Sequence, residues 1–337
     1  MTLFELTKTL VNIPSVTGLE GEIADFLCSY LKSQDFDLQE QKIEDGRRNI
    51  LATAGSAPRV ILCTHMDTVP PYFAASEDEY YIYGRGACDA KGIMASMIWA
   101  AQGLKKDGLT EIGLLFVVGE ETDSIGAKMA NSLNVGSDFI IVGEPTENKL
   151  GIGHKGVITF KMTAKGKAAH SAYPHLGESA IEKLLDALQK IRILDFGEDP
   201  VMGKSVVNIG TIEGGVAPNV IANYASAEVS IRSAIPSEQI LNKVKAVINR
   251  KVEIEVLSQS EAQRLFTVPD LEQVVLPYGT DIPHLKSFGK PLLLGPGSVL
   301  VAHTESEKIE KRQLFEAVKI YENMVKKLFR LSEEALR

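Results

Sequence analysis

The adjacent carboxylates Glu120-Glu121 carry much of the chemical information in this chain, because further candidate metal ligands surround them at telling positions. His65 and Asp67 stand two apart at the end of the apolar run Arg59-Val-Ile-Leu-Cys-Thr64. Asp89 follows within Gly84-Arg-Gly-Ala-Cys-Asp-Ala-Lys-Gly92. Glu120-Glu121 closes the apolar run from Ile112 to Val118, and Glu144 closes another from Phe139 to Val142. His303 lies far downstream in Ala-His-Thr-Glu. Imidazoles and carboxylates without thiolates suit a hydrolytic zinc or cobalt centre, and a bridging carboxylate suits a pair of metals. The set reads as a dinuclear metallohydrolase.

His65 and Asp67 fall on one side of an extended segment, since strand side chains repeat every two residues. One ring nitrogen of His65 can then bind metal while Asp67 holds the opposite N–H and fixes the tautomer. Gly84, Gly86 and Gly92 bracket Asp89 with residues that permit tight backbone geometry. A carboxylate that presents both oxygens to two cations ~3.5–4 Å apart needs such a setting, and capping of a helix from Gly92 is compatible with it. Glu120 and Glu121 cannot both enter one metal's shell from consecutive extended positions. One should ligate and its neighbour stand beside the attacking water as general base. Adjacent glutamates are commonly a solvated pair, but these follow Ile-Gly-Leu-Leu-Phe-Val-Val, which belongs in an interior. Asp89, Glu121 and Glu144 bring three negative charges against the four of two divalent cations, and a hydroxide supplies the fourth. A near-neutral cluster is easier to bury.

The elements that must position these groups are legible in the apolar pattern. Leu3, Leu6, Leu10 and Val11 recur at helical spacing, as do Ile23, Phe26, Leu27, Tyr30 and Leu31. The runs at 59–64, 112–118 and 139–142 are continuously apolar, as in central strands of an α/β sheet covered on both faces, with a covering helix from Gly92 to Leu104. From about residue 153 the texture changes to alternation, in Val157–Lys165 and Asn223–Arg232, which predicts half-exposed antiparallel strands. On the latter, Ala225, Ala227, Val229 and Ile231 share one face; Ser226, Glu228, Ser230 and Arg232 share the other. A helix near 177–192, a strand near 205–213, a helix near 236–249 and a strand near 252–257 complete a β-α-β-β-α-β order. Ile240, Leu241, Val244, Val247 and Ile248 form the second helix's apolar stripe. The expected organisation is a catalytic domain in two pieces, 1–152 and 259–337, with a lid inserted at 153–258. The second piece should end in a helix from Glu307 to Phe329.

With 337 residues and 45% hydrophobic content there is room for two domains and a sizeable core. The net charge of −8 argues against general affinity for nucleic acid or anionic lipid. No apolar run approaches the roughly 20 residues of a membrane span, and the N-terminus lacks the basic region of a secretory signal. Cys28, Cys63 and Cys88 form no CxxC pair, so a cytoplasmic setting is expected. Cys63 reads as a small core residue; Cys88, beside Asp89, is a candidate for oxidation sensitivity. Gly151-Ile-Gly-His-Lys-Gly156 matches the dinucleotide pattern G-x-G-x-x-G, but that fingerprint requires a helix directly after it, and here a strand pattern follows.

The chain resembles the M20 metallopeptidases and deacylases over essentially its whole length. The resemblance lies in His65-Met-Asp67, Gly84-Arg-Gly-Ala-Cys-Asp89-Ala-Lys-Gly92, Gly119-Glu-Glu121, Gly143-Glu-Pro-Thr146 and Gly166-Lys-Ala-Ala-His170-Ser-Ala-Tyr-Pro-His-Leu-Gly177. Leu294-Gly-Pro-Gly-Ser-Val-Leu-Val-Ala-His303 looks most like the acetylornithine deacetylase branch, less like the succinyl-diaminopimelate desuccinylases. The resemblance implies a zinc-exopeptidase-like three-layer α/β catalytic domain with an inserted ferredoxin-like lid that also mediates dimerisation. It implies two zinc ions, with cobalt as a substitute: His65 and Glu144 on one, Glu121 and His303 on the other, Asp89 bridging, and a cis peptide at Asp89-Ala90. Glu120 would be the general base, Asp67 the group orienting His65, and His170 an oxyanion donor reaching the partner subunit's site. Arg232, Asn219 and Thr280, with Tyr173 and Lys155, resemble the substrate-carboxylate contacts. The implied activity is removal of an acyl group from N-acetylornithine or N-acetyl-lysine, in amino-acid and specifically arginine biosynthesis. A dipeptidase, aminopeptidase or desuccinylase on the same scaffold is the alternative. Two departures stand out: the segment between Val256 and Gly279 is shorter than the family's usual one, and Ala90 replaces a common acid or Met.

Overall fold

The computed structural model describes residues 1–44, 46–248 and 252–335. The chain forms two compact units, one of Met1–Ile152, Leu265–Val274 and Thr280–Arg337, the other of Gly153–Arg264 and Val275–Gly279. The second unit thus takes in 259–264 and 275–279, which the sequence pattern places with the returning chain. The causes are local: the strand Val252–Ser260 continues to pair as far as Ser260 opposite Val157, and the Leu276 carbonyl accepts the Lys155 N–H at 3.0 Å.

In the first unit the sheet runs in the order Asp37–Lys42, Arg48–Thr53, Ile112–Val117, Val60–His65, Phe139–Val142, Lys290–Leu293, Leu150–His154. Val60–His65 is parallel to both Ile112–Val117 and Phe139–Val142. On one face Val60, Leu62, Ile112, Leu114, Phe116 and Ile141 join the core shared with the helices Leu3–Val11, Gly21–Ser33, Lys91–Lys106 and Lys311–Ala335. The opposite face, with Ile61, Cys63, Leu115, Val117 and Ile140, is equally closed to solvent. Burial on both sides is why these strands read as unbroken apolar runs. The register sets His65 beside Val117 and Cys63 beside Val142. The residues that follow these neighbouring ends, Glu120, Glu121 and Glu144, therefore emerge at the carboxyl edge of the sheet, where ligands collect in such folds.

The last helix starts at Lys311 and not at Glu307, because Lys308–Glu310 is a strand paired with Tyr81–Tyr83. It also runs past Phe329 to Ala335. The hairpin of Asp37–Lys42 with Arg48–Thr53 has no counterpart in the sequence reading, since its first strand is exposed and polar.

The second unit has a four-stranded antiparallel sheet in the order Val206–Gly214, Tyr224–Ser233, Gly156–Lys165, Val252–Ser260. The helices Ala180–Ile193 and Ser237–Val247 pack against it, which completes the β-α-β-β-α-β arrangement. Ala225, Ala227, Val229 and Ile231 face the core with Ile158, Phe160, Leu184, Ile191, Ile240 and Val244. Of the opposite face, Ser226 is also buried, whereas Arg232 is exposed. The second helix ends at Val247, with Ile248 as its cap; residue 249 of the expected range lies outside the described residues. A strand, Gly156–Lys165, follows Gly156 directly, so the G-x-G-x-x-G match has no helix to serve.

Candidate metal centre

At the carboxyl edge of the first unit's sheet, ligand atoms of His65, Asp89 and Glu121 lie within 4.8 Å of one another. Asp89 turns one oxygen to each histidine: Oδ1 is 3.0 Å from His65 Nε2, and Oδ2 is 3.4 Å from His303 Nε2. His303 Nε2 is also 3.0 Å from Glu121 Oε1. A carboxylate shared in this way between two imidazoles is the pose a bridging ligand needs. The Asp89-Ala90 peptide is cis, as the resemblance implies. Gly86, at φ +87°, turns the chain just ahead of Asp89; a Cβ there would lie 2.9 Å from the side chains of Lys91 and Thr68.

Electrostatics point the same way. Burial pushes the Glu120 and Glu144 carboxyls well above their usual range, and the charge of Glu120 adds to the effect on Glu144. Glu121 is also raised by burial, though its hydrogen bond from His303 opposes this. Hydrogen bonds to Asp89 and Glu121 raise His303 to about 10. Burial pulls His65 down, but its bonds to Asp67 and Asp89 outweigh that and leave it well above the ordinary histidine value. The cluster thus holds more negative charge than its surroundings neutralise and draws protons onto its imidazoles. Divalent cations would supply the missing charge, and the donor set of imidazole and carboxylate fits them.

Asp67 is arranged differently from the simple expectation. His65 Nδ1 makes its close contact, 3.0 Å, with the backbone carbonyl of Asp67, while the carboxylate stands at 3.6 Å. That carboxylate instead accepts the N–H groups of Glu120 and Glu121, each at 3.1 Å, and the Thr17 hydroxyl at 2.8 Å. It therefore holds both the histidine and the Glu120-Glu121 turn. Gly119, at φ +79°, makes that turn and has the Arg47 guanidinium against it; Arg47 in turn forms a buried ion pair with Glu20.

The other sequence candidates are dispersed. Thr280 is buried in the first unit, where its hydroxyl accepts the Ile282 N–H at 3.2 Å. In the second unit His170 is exposed, its Nδ1 accepting the Ala172 N–H at 3.1 Å. Asn219 is next to it, bonded through its carbonyl to the Ser171 N–H, and the ring of Tyr173 lies 6.1 Å from that of His170. Lys155 donates to the Lys204 carbonyl. Arg232 is exposed and makes no ion pair among the described residues.

The pattern of peptidase family M20/M25/M40 matches residues 61–327. The chain belongs to this family. It is 43% identical to a peptidase M20 domain-containing protein of Schizosaccharomyces pombe, covering 96% of this chain and 84% of that one. It is 37% identical to a probable carboxypeptidase of Emericella nidulans, covering 95% and 88%. Among solved structures, a tripeptidase of Staphylococcus aureus has the same fold, with a TM-score of 0.79 at 24% identity over 95% of this chain and 96% of that one. A dinuclear metal-binding M20 peptidase of Bacillus subtilis superposes with a TM-score of 0.68 at 15% identity, covering 95% of each. The protein is accordingly a hydrolase of the M20 peptidase family with a mixed α/β fold.

Two further features of this M20 chain escape a reading of the sequence. Glu307 is buried and binds the loop that carries Asp89. Asp281 is buried too, and burial pushes its carboxyl up to about 6. Cys88 differs from expectation in the other direction. It is fully buried, burial raises its thiol well above the usual value, and its Sγ faces the Ser298 carbonyl at 3.4 Å. A buried thiol without thiolate character resists oxidation. Cys63 is a core residue, as read.

Proposed function

We propose that this M20 chain is a two-zinc hydrolase, with cobalt as a substitute, acting on amides whose leaving amine carries an α-carboxylate. The pose of Asp89 between His65 and His303 is the observation that carries the reading. His65 and Glu144 would hold one cation and Glu121 and His303 the other, with Asp89 shared. When bound, such a pair polarises the amide carbonyl and acidifies the attacking water.

Glu120, fixed by its backbone N–H to Asp67, takes the water's proton and delivers it to the leaving amine. Asp67 keeps His65 and the Glu120-Glu121 turn in register. Arg232, an exposed guanidinium without an acid partner among the described residues, receives the substrate carboxylate, with Asn219, Thr280, Tyr173 and Lys155 as secondary contacts. The second unit serves as lid and dimerisation domain, and His170 donates to the oxyanion of the partner subunit's site. Three free cysteines suit a cytoplasmic enzyme.

The substrate class is acyl–NH–CH(R)–COO⁻. N-acetylornithine and N-acetyl-lysine belong to it, as do short peptides cut at the C-terminal residue. Relatives named probable carboxypeptidases favour the peptide members. The test is an assay of zinc- and cobalt-loaded protein on N-acetylornithine, N-acetyl-lysine, N-succinyl-ornithine, N-succinyl-diaminopimelate, and di- and tripeptides with free or amidated C-termini. Hydrolysis should demand the free α-carboxylate. Equal turnover of the amidated peptides would overturn the substrate class.

A further inference from the structure

Glu307 lies four residues beyond His303 and is 1% exposed. Its Oε1 accepts three backbone N–H groups, from Gly86 at 3.0 Å and from Cys88 and Asp89 at 3.1 Å. Its Oε2 accepts Arg85 Nη1 at 2.6 Å, and its backbone carbonyl accepts the Gly84 N–H at 3.2 Å. Arg85 is itself pinned, donating to the Pro71 carbonyl at 3.1 Å and covering the Phe73 ring at 5.1 Å. Burying a carboxylate is unfavourable unless charge and hydrogen bonds answer it. Here a guanidinium and three amides do, and all of these donors lie in the 85–89 loop. A plain ion pair with Arg85 would explain the burial. It leaves unexplained why three amides, including that of Asp89, converge on the other oxygen.

We propose that Glu307 is a positioning residue of the metal centre. It ties the loop that presents Asp89 to the segment that supplies His303, so the shared carboxylate and the downstream imidazole are set together before any cation arrives. The proposal rests on the two-metal reading. It follows from the general behaviour of groups behind metal ligands, whose loss commonly weakens metal affinity or activity ~10–100-fold.

The test compares wild type with Glu307→Gln, Glu307→Asp and the exposed control Glu305→Gln, reading zinc dissociation constants by chelator competition, then kcat and KM at saturating zinc. Glu307→Gln should bind zinc ~10–100-fold more weakly and lose kcat with KM changed less than about twofold. Glu307→Asp keeps the charge but falls one methylene short of the amides, so it should fare no better than Gln. Glu305→Gln should match wild type. Wild-type zinc affinity in Glu307→Gln would overturn the proposal, and so would full rescue by Asp, which would make long-range charge the cause. If the variants do not fold, hydrogen exchange on metal-free wild type decides. The Gly86, Cys88 and Asp89 amides should exchange slowly without metal; rapid exchange would overturn the proposal. Failure of the two-metal reading is distinguishable, because wild type would then bind fewer than two zinc ions.

Discussion

Asp67→Asn is the substitution whose cost the geometry makes most explicit. Asp67 is fully buried, and its oxygens serve three donors: Oδ1 the Glu120 N–H, Oδ2 the Glu121 N–H and the Thr17 hydroxyl. Asparagine has the same shape but replaces one oxygen with an NH₂ group. Whichever way the amide is turned, that NH₂ faces a backbone N–H of Glu120 or Glu121, which is left without an acceptor. One buried unsatisfied donor costs ~1–3 kcal/mol, or a melting temperature lower by ~2–4 °C for each kcal/mol in a domain of this size. The functional cost is larger, because the turn bearing the base and a ligand loses its anchor. A misplacement of about 1 Å can cost ~10²-fold in rate. Asp67→Asn should therefore melt several degrees lower, bind zinc ~10–100-fold more weakly and lose ~10²-fold in kcat. Thermal melts, chelator competition and steady-state kinetics check the three effects. Unchanged zinc affinity and kcat in a folded Asp67→Asn protein would refute the reasoning.

Glu120→Gln should keep two metals per chain while kcat falls ~10²–10⁴-fold from loss of the base; loss of one metal equivalent would exchange its role with that of Glu121. His170→Ala should retain metals and fold, with kcat ~10²–10³-fold lower. Verified heterodimers of a His170→Ala and a Glu120→Gln subunit should regain activity, and no recovery would refute donation across subunits. His303 has a folded pKa of about 10 against an ordinary value near 6.5, so its contribution to metal-free stability is fully present below ~6.5 and is lost as pH rises toward 10. The metal-free protein should thus melt lower between pH 7 and 9, an effect zinc should cancel. Because zinc must displace that proton, its affinity should rise about tenfold per pH unit over the same range. Finally, peroxide should leave Cys88 unmodified in the folded protein, as peptide mass spectrometry would show.

The main sheet was legible because burial on both faces forces continuous apolar runs, and those runs end where His65, Glu120-Glu121 and Glu144 begin. The second unit was legible from alternation in Tyr224–Ser233. What local pattern could not convey are partners far apart in sequence. Glu307 serves donors 218 to 222 residues away, and Asp67 serves amides 53 and 54 residues away. The expected pairing of the Asp67 carboxylate with the His65 ring follows from i,i+2 spacing alone. It holds in weakened form: the carboxylate stands 3.6 Å from the ring, while the backbone carbonyl of Asp67 is nearer at 3.0 Å. The last helix begins late for a similar reason: Lys308–Glu310 finds a strand partner at Tyr81–Tyr83 that no helical periodicity reveals.

Zinc-edge anomalous diffraction from crystals of the zinc-loaded protein would locate the proposed metal pair itself. Two peaks per chain are expected under the two-metal reading, one touching His65 and Glu144, the other Glu121 and His303, with an oxygen of Asp89 on each. A single peak, or two peaks that do not share Asp89, would contradict it.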